Sequence, residues 1–196
     1  GLTLAQLWPE SENSLGLLLE RRARETPWHT ALVFEGERWS YHAFNAWANR
    51  LAWSLKGDGV GHGTVVAVML ENRLEQLALL AALAKLGAVA ALINTTQRGK
   101  VLSHSLNLVK PAFFVVGEEL VEAFNEVRHQ VPSAEHPCYW LADRDTLQDS
   151  GQTPAGWVNL GLRQASQSEQ NLPDSLRVKM KDPCFYIYTS GTTGLP

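Results

Sequence analysis

Between Thr64 and Leu141 the chain repeats one rhythm: a short run apolar at every position, then a stretch with helical spacing. Thr64–Leu70, Ala88–Ile93, Ala112–Val116 and Cys138–Leu141 read as strands covered on both faces, because a strand with one wet face alternates apolar and polar residues and these do not. Between them, a helix starts at Asn72 and ends near Gly87, a second covers Arg98–Val109 before Pro111, and a third covers Glu118–His129. Parallel strands need such crossovers, so the alternation predicts an α/β fold, a mostly parallel sheet flanked by helices. A last apolar strand is expected over Cys184–Tyr188.

Ahead of this region, Leu15–Arg24 reads as a helix with Ser14 as N-cap and Pro27 soon after its end. Ala31–Phe34 and Glu37–Trp39, joined at Glu35-Gly36, read as a hairpin. Ser40 is placed to cap a long helix whose apolar positions Tyr41, Phe44, Ala48, Leu51 and Leu55 step by three and four, with His42, Asn45 and Asn49 away from that stripe. Gly57, Gly59, Gly61 and Gly63 follow a helix and precede a strand, the reverse of a dinucleotide loop, and read as a turn. Ala142–Met180 is rich in Asp, Gln, Ser, Gly and Pro. It reads as a long surface excursion with one short ordered element at Trp157–Leu162.

The 196 residues carry a formal net charge of −3, and 45% are hydrophobic, enough for a sizeable core. That charge gives no reason to expect a nucleic-acid partner. Arg21, Arg22 and Arg24 sit among glutamates and read as a solvated helix face. Cys138 and Cys184 each lie in an apolar run and read as small buried hydrophobes of a reducing compartment. The six histidines form no close pair, so no metal site is expected. The most apolar stretch, Leu74–Ile93, is interrupted by Glu75, Gln76, Lys85 and Gly87, too often for a membrane span. A cytoplasmic location is expected, with peripheral membrane association left open.

The chemistry concentrates at the end. Cys184-Phe-Tyr-Ile-Tyr188 runs directly into Thr189-Ser190-Gly191-Thr192-Thr193-Gly194. Glycines let main-chain N–H groups approach a ligand, and successive N–H groups form an anion-binding nest. The hydroxyls of Thr189, Ser190, Thr192 and Thr193 add donors that rotate toward phosphate oxygens. A loop just past the carboxyl end of a strand is where open α/β sheets bind ligands. Gly191 and Gly194 are separated by two residues, which rules out a Walker A loop. The plain alternative is a flexible Ser/Thr/Gly linker, and the adjoining aromatic-aliphatic strand argues against it.

Tyr186-Ile-Tyr-Thr-Ser-Gly-Thr-Thr-Gly-Leu-Pro196 resembles the signature of the adenylate-forming enzymes: acyl-CoA synthetases, luciferases and the adenylation domains of peptide synthetases. Arg38-Trp-Ser-Tyr41 and the helix after it, Gly59 through Asn72, and Leu83-Ala-Lys-Leu-Gly-Ala88 resemble that family's early region, although the family often has Asp near His62 or Gly63. Ala91-Leu-Ile-Asn-Thr95 with Arg98, Leu102-Ser-His104 and Val116-Gly-Glu-Glu-Leu120 are similar to its fatty acid transport protein and very-long-chain acyl-CoA synthetase branch. The resemblance runs from about Leu15 to Pro196.

The resemblance implies an ATP-dependent fatty acid–CoA ligase that forms acyl-AMP and then acyl-CoA, using ATP, Mg²⁺ and coenzyme A. It implies that Thr189, Ser190, Gly191, Thr192, Thr193 and Gly194 surround the β- and γ-phosphates. Residues 1–196 are then the N-terminal part of an AMP-binding domain, ending inside the signature at 186–196 and lacking the C-terminal domain. On that reading the segment holds no catalytic residue or metal ligand of its own and does not catalyse the reaction alone. Two alternatives stay open: a ligase for a carnitine-like or aryl acid, and a non-catalytic binding or scaffold module with this fold. The oligomeric state is left open. Ser103 and His104 are adjacent on a helix, point in different directions, and read as a surface pair. Trp39, Trp47, Trp53, Trp140 and Trp157 read mostly as core or core-edge packing. Asn94 and Arg98 read as structural to a strand–helix corner.

Overall fold

The computed structural model describes residues 15–135, 138–143, 153–173 and 185–187, the last three as backbone. In chain order the elements are α1 (Leu15–Glu25), β1 (Thr30–Phe34), β2 (Glu37–Ser40), α2 (Tyr41–Gly57), β3 (Val65–Met69), α3 (Leu74–Leu86), β4 (Val89–Leu92), α4 (Gly99–Val109), β5 (Phe113–Gly117), α5 (Val121–Val127), β6 (Cys138–Leu141), β7 (Trp157–Asn159), α6 (Leu160–Gln164) and β8 (Phe185–Ile187). They belong to two compact units. One takes the described residues of Gly1–Gly63, Leu77–Val89 and Gln164–Cys184, the other those of Thr64–Gln76, Ala90–Arg163 and Phe185–Pro196.

In the first unit, β1 and β2 form an antiparallel hairpin in which Phe34 faces Glu37. The two loop residues, Glu35 and Gly36, both have positive φ, 49° and 85°, as a two-residue turn matched to strand twist requires. The hairpin delivers Ser40, whose side-chain oxygen accepts the Ala43 N–H at 3.1 Å and caps α2. Trp39 stacks on Trp47 with ring centroids 4.9 Å apart.

Helix α2 departs from the expected single stripe. Asn45 and Asn49 are buried along with Phe44, Trp47, Leu51 and Leu55. Their partners come from residues 164–171. Asn49 Nδ2 donates to the Glu169 carbonyl at 2.7 Å and to Asn171 Oδ1 at 2.9 Å, and Asn45 Nδ2 donates to the same Asn171 oxygen at 2.9 Å. One turn further, Trp53 Nε1 donates to the Gln170 carbonyl at 2.8 Å. Arg50 holds Glu169 Oε1 at 2.7 Å and Gln164 Oε1 at 2.8 Å. Residues 45, 49 and 53 form one i, i+4 line along the helix. Asn45 and Asn49 on that line are buried, and Trp53 half-buried, because the covering segment brings its own carbonyls and amide, not because the helix is apolar there. The expected surface excursion over Ala142–Met180 is corrected to the same extent: its residues 153–173 hold β7, α6 and this clasp.

Helices α1 and α3 meet at a glycine. A Cβ on Gly16 would lie 2.9 Å from Lys85 Cγ and 3.1 Å from Lys85 Cα, so the backbones approach as only glycine permits. One turn along α1, Glu20 Oε1 accepts from Lys85 Nζ at 2.8 Å. The Lys85 side chain is 1% exposed. Burial pulls its pKa below the usual lysine value, and the hydrogen bond and charge of Glu20 oppose that pull.

The second unit is built on a six-stranded sheet in the order β7-β6-β5-β3-β4-β8, with β4 starting at its border residue Val89. The pairs β3/β5, β5/β6, β6/β7 and β4/β8 are all parallel. Consecutive residues Val66, Ala67, Val68 and Met69 of β3 are each no more than 1% exposed, so both faces of the central strand are covered, as its unbroken apolar run predicts. On one face Ala67, Met69, Phe114, Val116, Cys138 and Trp140 pack with Leu102 and Leu106 of α4 and with Phe124 and Val127 of α5. Strand β7 was not foreseen as part of the sheet; it extends the edge beside β6. The predicted helix over Glu118–His129 is an α-helix only over Val121–Val127, with a 3₁₀ turn at each end. Ser103, read as a surface residue, is buried and donates to the Lys100 carbonyl at 3.1 Å, whereas His104 is exposed.

Candidate functional site at the carboxyl edge of the sheet

Strand β3 lies where the chain order reverses. Strands β4 and β8 are on one side of it, β5, β6 and β7 on the other. The carboxyl edge at such a switch point is where open α/β sheets receive ligands. In this sheet that edge is tied together by side chains from the ends of the strands.

Arg73, just past β3, is the hub. Its guanidinium reaches Glu119 Oε2 at 3.1 Å beyond β5 and donates to the Leu141 carbonyl at the end of β6 at 2.7 Å. Arg73 Nη1 is 3.2 Å from Glu75 Oε2, at an angle too poor for a hydrogen bond, so that contact is an ion pair. Glu119 also accepts the Glu71 N–H at 2.9 Å. Its carboxylate lies over Gly117, where any Cβ would come within 2.4 Å of it. Glu118 accepts the Asp143 N–H at 3.0 Å, and the Thr95 hydroxyl donates to Glu71 Oε2 at 3.2 Å. The chain ends of β3, β4, β5 and β6 are thus joined in one polar belt. Nothing in the sequence signalled it: Glu-Asn-Arg after one strand and Gly-Glu-Glu after another look like ordinary loop openings.

The turn after β4 is equally ordered. Asn94 Oδ1 accepts from the Thr96 N–H at 2.9 Å and from its hydroxyl at 2.7 Å, an Asx turn. Arg98 donates to the carbonyls of Thr95 and Gln97 at 2.6 and 2.8 Å. Both Asn94 and Arg98 hold this strand–helix corner, as expected.

Strand β8 carries the start of the signature. Its pairing with β4 is parallel, with Leu92 opposite Ile187. The carboxyl end of β8 therefore lies at the same edge as Asn94–Arg98. Thr189, Ser190, Gly191, Thr192, Thr193 and Gly194 lie outside the described residues, as do Cys184, Tyr188 and Ser14.

An open cleft in the same unit is lined by Glu118, Glu119, Glu122 and Glu126 with Trp140 and Pro154. Glu119 is paired with Arg73, but the lining holds three further carboxylates and no Lys or Arg, so this cleft does not suit a polyphosphate. Among the described residues no group of three His, Cys, Asp or Glu side chains could hold a metal ion, and no helix is long and apolar enough to cross a membrane. Of the five tryptophans singled out, Trp47, Trp140 and Trp157 are buried and Trp39 and Trp53 half-buried. Trp39 stacks on Trp47, and Trp157 meets Phe124 edge-on. Cys138 is a buried thiol, and desolvation pushes it up to about 11 while the nearby Arg128 charge works against this.

A family profile described as AMP-binding enzyme matches residues 19–196. Over 96% of its length the chain is 34% identical to the medium/long-chain-fatty-acid–CoA ligase FadD6 of Mycobacterium tuberculosis, covering 29% of that protein. It is 32% identical, over 88% of its length, to the long-chain fatty acid transport protein 6 of Mus musculus, covering 27% of that protein. It thus spans little more than a quarter of the length of these curated relatives. Among solved structures, the inhibitor-bound N-terminal domain of FACL13 from Mycobacterium tuberculosis superposes with a TM-score of 0.75 at 29% identity, over 92% of this chain and 42% of that one. The anthranilate CoA ligase AuaEII, solved with anthranoyl-AMP, gives a TM-score of 0.80 at 22% identity, over 98% of this chain and 35% of that one, and shows likeness of fold alone.

Proposed function

We propose, from the premise that this chain belongs to the AMP-binding enzyme family, that it is the N-terminal part of an ATP-dependent ligase joining a long-chain fatty acid to coenzyme A. One observation carries the reading most: β8 leaves the sheet beside β4 at the carboxyl edge, and the sequence it leads into is Thr-Ser-Gly-Thr-Thr-Gly. The relatives named for fatty acids are 34% and 32% identical to this chain. The aryl-acid ligase, at 22%, gives no comparable support for an aryl substrate.

On this reading a fatty carboxylate oxygen attacks the α-phosphorus of ATP, forming acyl-AMP and releasing pyrophosphate. The thiol of coenzyme A then attacks the acyl carbon and releases AMP. The first step brings an anion to a polyanion, so donors fixed before the reaction do most to lower its barrier. Main-chain N–H groups of Gly191 and Gly194 and the hydroxyls of Thr189, Ser190, Thr192 and Thr193 hold the β- and γ-phosphates and steady the leaving pyrophosphate. Mg²⁺ accompanies the ATP and supplies charge neutralisation there; no described residue is assigned to it. A long-chain acid partitions into lipid, so the enzyme works in the cytoplasm, at the margin of a membrane.

The test is acyl-CoA formation by the full-length protein containing this chain, on acids from acetate to very long chains, with Thr192→Ala beside it. The reading expects activity that rises with chain length and falls about 100-fold in the variant, the scale of losing one preorganised donor. Activity confined to short, aryl or carnitine-like acids would overturn the substrate assignment. No activity on any acid would favour a non-catalytic module.

A further inference from the structure

The corner after β4 satisfies nearly every polar group it contains, and one exception stands out. Gln97 is 6% exposed, and both atoms of its carboxamide, Nε2 and Oε1, are buried with no hydrogen-bond partner. Its main chain is fully used: the N–H donates to the Asn94 carbonyl at 3.2 Å and the carbonyl accepts from Arg98 at 2.8 Å. The backbone is therefore held from both sides, and the side chain is buried beside it. A buried amide without partners is costly, and an apolar side chain of the same length would avoid that cost. Native structures leave few such groups, and each calls for an explanation.

The place in the fold supplies one. Gln97 stands five residues past Leu92, and Leu92 pairs in parallel with Ile187, so this corner and the carboxyl end of β8 lie at one edge of the sheet. We infer that Gln97 is a positioning residue for the nucleotide-bound state: its carboxamide takes its hydrogen-bond partner only when nucleotide occupies this edge. The inference rests on the nucleotide-binding reading given above. A carboxamide suits the task because it offers a donor and an acceptor and carries no charge to oppose a polyphosphate. Its unmet bonding capacity in the free protein becomes differential affinity for the liganded state.

The test uses the full-length protein containing this chain, with Gln97→Met, which keeps length and volume and removes both polar functions. Two quantities are read: the Tm without ligand, and the Kd for MgATP. The inference expects Tm unchanged or raised, and Kd raised about tenfold, the loss of one to two hydrogen bonds. AMP is titrated in parallel. A loss confined to MgATP assigns the new partner to the phosphate end, and a loss shared with AMP assigns it to the nucleoside end. A lowered Tm overturns the inference, because the amide then already has a partner at rest, such as a buried water. An unchanged Kd in the variant, with normal binding by the wild type, overturns it while sparing the nucleotide reading. A wild type that binds neither MgATP nor AMP overturns both.

Discussion

A charged or polar residue inside a protein is informative according to what it touches, and three sites here give three different answers. Arg73 is half-buried with its charge paired, because its planar fork reaches Glu119 and the Leu141 carbonyl together and Glu75 lies beside it as an ion pair. Asn45 and Asn49 are buried because a later segment lays carbonyls across them. Cys138 is buried as a small hydrophobe among Phe114, Phe124 and Trp140. The thiol makes a prediction. Its folded-state value is raised from 9.0 to about 11, chiefly by desolvation. Below pH 9 the thiol is neutral in both folded and unfolded chains and the shift has no effect. Between pH 9 and about 11 the unfolded chain loses this proton and the folded chain keeps it, so stability falls as pH rises. Denaturant melts at pH 8.5 and 10.5 should show a drop that is smaller in Cys138→Ala. A thiol reagent at pH 8 should leave Cys138 unmodified until the protein unfolds. An equal drop in both proteins would contradict this.

At the scale of elements, contact between α1 and α3 includes one line of residues, Gly16 and Glu20 against Lys85. Removing one partner of a buried pair leaves a buried charge, whereas replacing both by apolar groups often costs nothing. Glu20→Ala is therefore expected to destabilise the protein by about 3 kcal/mol, and Glu20→Leu with Lys85→Met together by under about 1 kcal/mol. Urea unfolding of the two variants and the wild type decides it, and equal costs would show that the pair contributes packing rather than charge. Elements of this kind were unevenly legible. The hairpin, the Ser40 cap and the strands of the sheet's middle were readable because turn residues and unbroken apolar runs are local signals. Lys85 and Glu75 were read as interruptions of an apolar stretch. They are instead buried charges whose partners, Glu20 and Arg73, no periodicity points to. Strand β7 was hidden for the same reason: three residues in a polar stretch become a strand only because β6 offers a free edge.

At the scale of the whole molecule, the sheet order β7-β6-β5-β3-β4-β8 explains why the signature matters where it stands. The sequence shows a strand running into a phosphate-type loop, but not that this strand crosses back to pair with β4. That pairing is a long-range contact and sets which groups share the edge with the end of β8. The motif stands in the sequence but the place of β8 in the sheet does not, which is why Gln97 and the Arg73 belt have no counterpart there. The adenylate chemistry proposed for this family member has one mark: the carboxylate acts on ATP before any thiol is present. The most direct measurement is fatty-acid-dependent exchange of labelled pyrophosphate into ATP by the full-length protein, without coenzyme A. The account predicts exchange that requires the acid, favours long chains and does not need coenzyme A. Label incorporation that is absent with every acid, or indifferent to whether acid is added, would contradict it.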